Sequence, residues 1–290
     1  MPSKQRNVTS IALLHPKMTW LFDCGEATQH QILHSPIKPR KVNAIFITHL
    51  HGDHIFGLPG FISTRAALEG TTPLTIYGPI GIKEWMDATL RITGTYLRYP
   101  LRIVEVEDGQ TYEQDGFLIT ARLLEHRFPA FGYRLEGPEE RGALRVDALK
   151  ALGVPSGPLY RRITLEETFE FAGTVYASSD FLEAPKPGIK LAVLGDTMPC
   201  EAAIELARDV DVLVHEATFA DSEVEHAGRF GHSTARQAAE IADTAQAKKL
   251  LLTHVSARYV DQEEVLEQEA REVFANSHLM YDHRVVPVKG

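Results

Sequence analysis

The chain has 290 residues, of which 44% are hydrophobic and 24% charged, so it is long enough for one large domain or two small ones. This composition excludes a disordered chain, a collagen and a coiled coil, and no apolar run is long enough to span a membrane. The net charge of −9 argues against a protein that coats nucleic acid by bulk charge, but it leaves open an RNA substrate bound through local basic clusters.

Apolar runs of strand length alternate with helical patterns along most of the chain. The predicted strands are 8–14, 19–22, 44–48, 73–77, 101–106, 117–124, 131–136, 190–194, 210–214 and 249–253. The predicted helices are 26–34, 57–69, 81–92, 200–208 and 233–245, and the last of these begins with a Ser/Thr cap.

The stretch 137–162 departs from this alternation. It is rich in Gly and Pro and has more basic than acidic residues in an otherwise acidic protein. The composition indicates an insertion or arm outside the core, and a solvated loop is the simpler alternative.

Polar side chains stand where four of the apolar strands end. His49 follows 44–48, Asp196 closely follows 190–194, His215 follows 210–214, and His254 follows 249–253. Strands that end at one edge of a sheet deliver such side chains to the same place. We therefore expect a polar site at this edge.

The segment 49–54, HLHGDH, is the sharpest signal in the sequence. The chance occurrence of HxHxDH in a chain with 13 histidines is roughly one in a thousand. Imidazole and carboxylate groups so close together suit zinc. Because four donors within six residues crowd a single tetrahedral ion, a pair of ions is expected, and such a pair suits phosphodiester hydrolysis.

The remaining ligands are expected at other strand ends. A lone histidine there is more often structural, but His126, Asp196 and His254 gain weight beside HxHxDH. The predicted first site consists of His49, His51, His126 and Asp196. The predicted second site consists of Asp53, His54, Asp196 and His254, with Asp196 bridging the two ions. We predict two Zn²⁺ ions, with Mn²⁺ as an alternative.

At these residues the chain resembles the metallo-β-lactamase superfamily, and most closely its ribonuclease Z family. The matching motifs include PSKQRN (2–7), FITHLHGDHIFGLPG (46–60), VPSGPLY (154–160), HEATF (215–219) and GHSTARQAA (231–239). HxHxDH alone indicates only the superfamily, which also contains lactamases and sulfatases. HEAT followed by HST, together with Gly157-Pro158, is typical of ribonuclease Z.

The resemblance implies a single α/β domain over 1–290, a four-layer αββα sandwich with a protruding arm within about 137–181. It implies a homodimer whose arm grips precursor tRNA. The implied activity is a zinc-dependent endoribonuclease that removes the 3′ trailer, leaving a 3′-hydroxyl on the tRNA and a 5′-phosphate on the trailer. Two departures from the family pattern are noted. The sequence starts at the PSKQRN loop, before which the family has a further strand, so either the sequence is shortened or a neighbouring strand has no partner. The arm sequence over 161–178 also differs from the family pattern.

Three residues are predicted to carry the chemistry. Asp53 would ligate the second ion and orient or deprotonate the attacking water. His232, held by Glu216, would protonate the leaving oxygen, as the resemblance also implies. Taken alone, Glu216 could be a structural acceptor and His232 a helix cap, and we expect His215 to be structural.

The predicted substrate contacts belong to three segments. Lys4, Arg6 and Asn7 fit the PxKxRN loop that accommodates the precursor's 3′ end in the family. Gly157 and Pro158 belong to the arm, and Arg258 follows His254. Phosphate contacts of this kind position RNA without reading its sequence.

Two other functions stay open on the sequence: a small-molecule phosphodiesterase or aryl sulfatase of the same superfamily, and a non-catalytic RNA-binding module. The complete ligand set argues against the last. The two cysteines, Cys24 and Cys200, are too few for a disulfide framework, and we expect a cytoplasmic protein that does not enter a membrane.

Overall fold

The computed structural model describes residues 1–16 and 18–288. Contacts divide it into two compact units, one formed by Met1–Glu136 with the chain from Lys190 onward, the other by Gly137–Ile189. Within the described ranges, no helix is long and apolar enough to cross a membrane.

The strands are short and spread over the whole chain. They are β1 Ile11–His15, β2 Met18–Phe22, β3 Val42–Phe46, β4 Leu74–Gly78, β5 Leu101–Glu105, β6 Thr111–Gln114, β7 Phe117–Leu124, β8 Ala130–Glu136, β9 Thr168–Phe171, β10 Thr174–Ala177, β11 Lys190–Val193, β12 Val212–Glu216, β13 Leu250–Thr253 and β14 Ser277–Leu279.

The helices lie between them. They are α1 Thr28–Leu33, α2 Gly52–Ile55, α3 Leu58–Ala67, α4 Ile82–Thr93, α5 Val146–Ala151, α6 Pro158–Leu165, α7 Glu201–Ala207, α8 Val224–Phe230, α9 Ala235–Thr244 and α10 Glu264–Val273. Short 3₁₀ turns occur at Pro39–Lys41, Ser178–Phe181, Asp221–Glu223 and Ala257–Tyr259.

The first unit contains two sheets. One has the order β1-β2-β3-β4-β5, in which β2 to β5 run parallel and β1 pairs antiparallel with β2. The other has the order β14-β13-β12-β11-β8-β7-β6, in which β11 to β14 are parallel and β6, β7 and β8 are antiparallel. The parallel strands are buried on both faces, which is why their sequences are nearly continuous apolar runs.

Aromatic side chains fill the space between the sheets. The ring of Phe46 on β3 lies 5.3 Å from that of Tyr133 on β8, and Trp20 on β2 lies 5.2 Å from Phe117 on β7. The Tyr133 hydroxyl donates to the Ile47 carbonyl at 2.6 Å, so one buried hydrogen bond also joins the two sheets.

Helices cover the outer face of each sheet. Leu21 and Ile45 point away from the aromatic layer and pack with Phe61 of α3 in one outer core. Leu213 and Leu250 pack with Leu206, Ala238 and Leu266 of α7, α9 and α10 in the other. Alternate residues of one strand thus face different cores. The unit is an αββα sandwich, as predicted.

The second unit, 137–189, has its own small core. Leu149, Val154, Ile163 and Phe169 are buried together, in a segment that contains two short helices, the β9–β10 hairpin and the 3₁₀ turn Ser178–Phe181. The apolar residues spaced through the segment thus bury one another. That the segment is a tRNA-binding arm stays a prediction.

Most predicted strands and helices lie within two residues of the observed ones. The strand predicted at 8–14 begins only at Ile11, because 8–10 are irregular. The strand predicted at 210–214 extends through Glu216, so His215 and Glu216 alternate on opposite faces instead of following the strand together. The short elements α2, α5, α6, α8, β6, β9, β10 and β14 were not predicted.

Candidate metal centre

Loops that follow the strands of both sheets meet at one place in the first unit. His49 follows β3, His126 follows β7, Asp196 follows β11 and His254 follows β13. These four and the other three predicted ligands form overlapping groups whose donor atoms lie within 4.8 Å of one another within each group. The structure therefore brings together all seven: His49, His51, Asp53, His54, His126, Asp196 and His254.

The HxHxDH segment is held by backbone contacts to the loop after β2. The Cys24 amide donates to the His54 carbonyl at 2.8 Å, and the Gly57 amide donates to the Cys24 carbonyl at 2.9 Å. A Cβ at Gly57 would lie 1.9 Å from the Gly25 carbonyl oxygen, so only glycine allows this approach. Cys24 itself is buried, and burial raises the pKa of its thiol to about 12, as expected of a packed cysteine.

Three imidazoles form the first group. His49 Nε2 lies 2.9 Å from His51 Nδ1, and the His126 ring centroid lies 5.2 Å from that of His49. His126 Nδ1 is 2.6 Å from the Gly231 carbonyl oxygen, to which it donates, and this leaves His126 Nε2 buried with no hydrogen-bond partner in the described structure.

Asp196 connects this group to the second. Its Oδ2 lies 3.8 Å from His49 Nε2 and 3.6 Å from His54 Nε2. The same oxygen lies 3.3 Å from His254 Nε2. His254 Nε2 is in turn 3.7 Å from the Asp53 carboxylate.

The distances around Asp196 and His254 fit bound metal better than hydrogen bonding, whereas His49 Nε2 and His51 Nδ1 are at hydrogen-bond distance. Donor atoms at 2.0–2.2 Å around a tetrahedral ion stand about 3.3–3.6 Å apart, whereas hydrogen-bonded atoms would be about 2.9 Å apart. His54 Nε2 is, like His126 Nε2, buried without a partner in the described ranges. A buried nitrogen that has no hydrogen-bond partner and binds nothing else lowers the stability of the folded state. The donor set thus fits divalent metal at both groups.

A buried carboxylate orients the histidines of the HxHxDH segment. Asp23 Oδ2 accepts from His54 Nδ1 at 2.7 Å and from the Thr48 hydroxyl at 2.9 Å. That hydroxyl lies 3.1 Å from His49 Nδ1 and, having given its proton to Asp23, accepts there. Both rings therefore carry the proton on Nδ1 and present Nε2 to the centre.

A second buried carboxylate, that of Glu216, orients two histidines on the opposite side of the centre. Glu216 Oε1 accepts from His232 Nδ1 at 2.9 Å, and Glu216 Oε2 accepts from the Thr218 hydroxyl at 2.5 Å. The same hydroxyl lies 2.9 Å from His254 Nδ1. Each carboxylate thus holds one imidazole directly and another through a threonine. The Thr197 amide donates to Glu216 Oε1 at 2.9 Å and fixes the carboxylate.

Two residues at the centre have left-handed backbone. Asp23 has a φ of 58° and His254 a φ of 54°, and each stands directly after the end of a strand in a different sheet. This conformation costs about 1–3 kcal/mol for a residue with a side chain. The strain turns each side chain back toward the site and is tolerated at both positions.

The pKa values of several polar groups at the centre are strongly shifted. Burial, reinforced by neighbouring imidazoles, lowers the pKa of His49 to about 2 despite the opposing charge of Asp196. The His254 imidazole beside Asp53 holds the pKa of that carboxyl well below its usual range. His49 is consequently a neutral donor and Asp53 a charged one at neutral pH, which are the forms that bind metal.

His232 lies beside the centre without belonging to the predicted ligand set. Burial acts to lower the pKa of His232, but the hydrogen bond and charge of Glu216 outweigh it and raise the pKa above the usual value. Its Nδ1 is also 3.8 Å from Asp196. The predicted pair of His232 and Glu216 is therefore present, and the alternative that His232 merely caps α9 is wrong, since Thr234 is the cap.

The predicted substrate residues lie in several environments. Lys4 is exposed, whereas Arg6 donates to the Met280 carbonyl and pairs with Glu263 at 3.3 Å. Asn7 donates to the Glu26 carbonyl at 2.9 Å. Arg6 and Asn7 therefore hold the N-terminal segment in place. Gly157 and Pro158 are exposed at the start of α6 in the second unit, and Arg258 stacks on Phe219 while pairing with Glu223.

Three supporting residues were not assigned a role from the sequence: Asp23, Thr48 and Thr218. Asp23 follows strand β2 as the ligands follow theirs, and this was the available signal. Thr48 and Thr218 stand inside the quoted motifs 46–60 and 215–219, but the motifs do not show their role, which depends on contacts between separate segments. His215 is buried with Nδ1 2.8 Å from the Glu216 carbonyl oxygen and with Nε2 unpartnered in the described residues, and it belongs to none of the donor groups, so its structural role stays a prediction.

Comparisons with known proteins agree with the resemblance predicted from the motifs. The beta-lactamase superfamily domain matches residues 19–144 and 178–255, and the gap falls within the second unit. The chain is 78% identical to the Ribonuclease Z of Exiguobacterium sibiricum, over 100% of this chain and 96% of that protein. It is 50% identical to the Ribonuclease Z of Bacillus thuringiensis, over 99% of this chain and 96% of that protein.

Solved structures give the same result. Human tRNase Z, short form, superposes with a TM-score of 0.70 and 27% identity, covering 99% of this chain and 95% of that one. The metallo-beta-lactamase fold protein YhfI of Bacillus subtilis shares the fold, with a TM-score of 0.68 and 18% identity over 97% of this chain and 91% of that one. The chain therefore belongs to the ribonuclease Z family of the beta-lactamase superfamily.

Proposed function

We propose that this chain is a metal-dependent endoribonuclease that removes the 3′ trailer from precursor tRNA, leaving a 3′-hydroxyl on the tRNA and a 5′-phosphate on the trailer. The observation that carries the proposal is the joining of two groups of metal donors by Asp196, beside the His232–Glu216 pair. Relatives named Ribonuclease Z along the whole chain support the same activity.

The metal is proposed to be zinc, two ions per chain. Five imidazoles and two carboxylates form a nitrogen-rich donor set that suits Zn²⁺ better than Mg²⁺ or Ca²⁺, and Mn²⁺ is the alternative. His49, His51, His126 and Asp196 would hold the first ion. Asp53, His54, Asp196 and His254 would hold the second.

When bound, the ions supply positive charge that acidifies water and offsets the charge that grows on the phosphate. The chain's own residues do the rest. Asp53, charged and 34% exposed on its side chain, faces the cleft and orients the attacking water. Asp23 and Glu216 hold the imidazoles so that their Nε2 atoms point inward.

The leaving 3′-oxygen requires a proton, and His232 is placed to give it. Glu216 keeps the imidazole oriented and favours its protonated form through Nδ1, so Nε2–H is free to donate. The product is a neutral hydroxyl instead of a high-energy alkoxide. General-acid catalysis of this kind contributes about 10²–10⁴-fold to the rate.

Binding of tRNA is proposed to depend on local contacts, because the chain as a whole is acidic. Lys4 is exposed near the start of the chain, and the second unit, 137–189, presents Gly157 and Pro158 at its surface. We propose that this unit grips the tRNA, that the enzyme is a homodimer, and that it acts in the cytoplasm, where precursor tRNA is made. Recognition of shape through backbone contacts suits a structured RNA.

Replacement of Asp53 tests the activity itself. With a 3′-extended precursor tRNA, the wild type is expected to cut once near the end of the tRNA, and Asp53→Ala to cut at least about 100-fold more slowly. Denaturing gels with end-labelled RNA measure both rates. The exposed Asp87 on α4 provides a matched control, since Asp87→Ala should cut like the wild type. Equal cutting by Asp53→Ala would remove this carboxylate from the mechanism, and no cutting by the wild type would refute the proposed activity.

Replacement of Asp23 tests the metal centre. In Asp23→Asn the acceptor of His54 and Thr48 is weakened, so zinc affinity should fall about 10–100-fold. Competition with a fluorescent chelator measures the affinity without reference to activity. Asp211 is also a buried, hydrogen-bonded carboxylate but precedes β12 at the far end of the strand, so Asp211→Asn should leave zinc affinity unchanged. Unaltered affinity in Asp23→Asn would contradict the orienting role.

Replacement of His232 tests proton donation. His232→Ala should cleave precursor tRNA at least about 100-fold more slowly but retain most activity toward bis(p-nitrophenyl) phosphate, whose leaving group needs no proton. Glu216→Gln should lower activity toward both substrates, because Glu216 holds His254 through Thr218 as well as His232 directly. The exposed His34 supplies the control variant, His34→Ala. A similar loss with both substrates would show that His232 supports the centre rather than donating a proton.

Removal of the second unit tests RNA binding. Glu136 and Lys190 pair directly in the β8–β11 register, so a short Gly–Ser turn can replace Gly137–Ile189 without moving the sheet. The shortened protein should hydrolyse bis(p-nitrophenyl) phosphate normally and lose precursor cleavage, chiefly through a raised KM. Normal KM for the precursor would contradict a gripping role for this unit.

A further inference from the structure

The exposed phenylalanines of the chain are not scattered. Of its 13 phenylalanines, all of which the structure describes, those with large exposed fractions are Phe56 (64%), Phe128 (40%) and Phe230 (40%). Each lies two positions from a histidine of the candidate site: His54, His126 and His232, respectively. We call these three residues the phenylalanine rim.

Two of the three rings pack on the HxHxDH segment. A Cβ built at Gly52 would lie 2.2 Å from Cε2 of Phe56, so this ring lies directly on the backbone between His51 and Asp53. The Phe128 ring centroid lies 5.2 Å from that of His51. The Phe230 ring packs against His226, with 4.6 Å between the centroids, and all three rings leave surface open to solvent. Burying this surface would be favourable.

Two arginines accompany the rim. The guanidinium carbons of Arg127 and Arg229 each lie 5.9 Å from the centre of the Phe230 ring. Both side chains are exposed, and neither forms an ion pair with any residue in the described part of the chain. Two uncompensated positive charges at the site of a chain with a net charge of −9 favour an anionic ligand.

The rim is fixed to the site by its backbone. Gly231, with a φ of +80°, lies between Phe230 and His232, and a Cβ there would lie 2.9 Å from Cγ of Arg127. The Gly231 carbonyl accepts the hydrogen bond from His126. The segments 126–128 and 230–232 are thereby locked together, and their two aromatic rings keep a fixed position beside the reacting centre.

We propose that the phenylalanine rim stacks the unpaired bases next to the scissile phosphate, with Arg127 and Arg229 contacting the adjoining backbone phosphates. The inference rests on the proposed function, since it assumes that the scissile phosphate sits at the metal centre. Aromatic platforms interleaved with cationic side chains are the general means of binding single-stranded nucleic acid. Such stacking tolerates any base, as an enzyme that cuts many precursors requires.

A double-mutant cycle between protein and RNA tests the proposal. Precursor tRNAs carry either normal nucleotides or abasic ones at the positions flanking the cut. Phe128→Leu and Phe230→Leu remove the aromatic face yet keep an apolar side chain. On the normal precursor each variant should lose about ten-fold or more in kcat/KM. On the abasic precursor, the variants and the wild type should be equal.

Three measurements make the outcome unambiguous. Zinc content and activity on a small phosphodiester should be unchanged in the variants. Tyr96→Leu, which removes an aromatic ring that is 82% exposed in the loop after α4, should behave as wild type. Fluorescence anisotropy measures the affinity for labelled precursor and thus tests the phenylalanine rim without requiring cleavage. Failure of the wild type to cut would therefore refute the proposed function without refuting the rim.

Two results would overturn the proposal. Equal losses on normal and abasic precursors, or no loss at all, would show that the rings do not stack on bases. A shift of the variants from dimer to monomer in analytical ultracentrifugation, without a base-dependent effect, would assign the rim to contact with a second copy of the chain.

Discussion

One buried carboxylate oxygen organises the centre of the molecule. Oδ2 of Asp196 lies within 3.8 Å of a nitrogen in each of four histidines that come from three different loops. Without positive charge among them, these buried polar groups would repel one another or be left without hydrogen-bond partners. The neighbouring imidazoles and Asp196 fit together because cations can sit between them, and the surrounding fold serves to hold this arrangement.

The two sheets contribute to the centre in corresponding ways. Each supplies a buried carboxylate, Asp23 or Glu216, that accepts from one imidazole directly and from a threonine hydroxyl that accepts from another. The hydroxyl fixes the ring without adding charge beside the ions. The sides differ in what the direct partner does, since His54 is a proposed ligand and His232 the proposed acid.

The sequence predicted the fold, and the structure brings the proposed ligand residues close together, for identifiable reasons. Parallel strands buried on both faces leave continuous apolar runs, and HxHxDH is too improbable to be accidental.

The features that the sequence could not predict depend on contacts between distant segments. Thr218 belongs to the HEAT motif, but its orienting role could not be predicted, because that role arises only where β12, β13 and the loop before α9 meet. The extent of β12 was missed because His215 and Glu216 are buried polar residues inside a strand, where an apolar pattern breaks. The core of the second unit was missed because its few apolar residues are widely spaced.

The hydrogen bond from His126 to the Gly231 carbonyl joins two functions that could have been separate. It ties a donor of the first proposed ion to the peptide that immediately precedes His232. A displacement of the His126 ring would therefore be passed through this hydrogen bond to the peptide before His232, so the positions of a proposed ligand and of the proposed acid depend on each other.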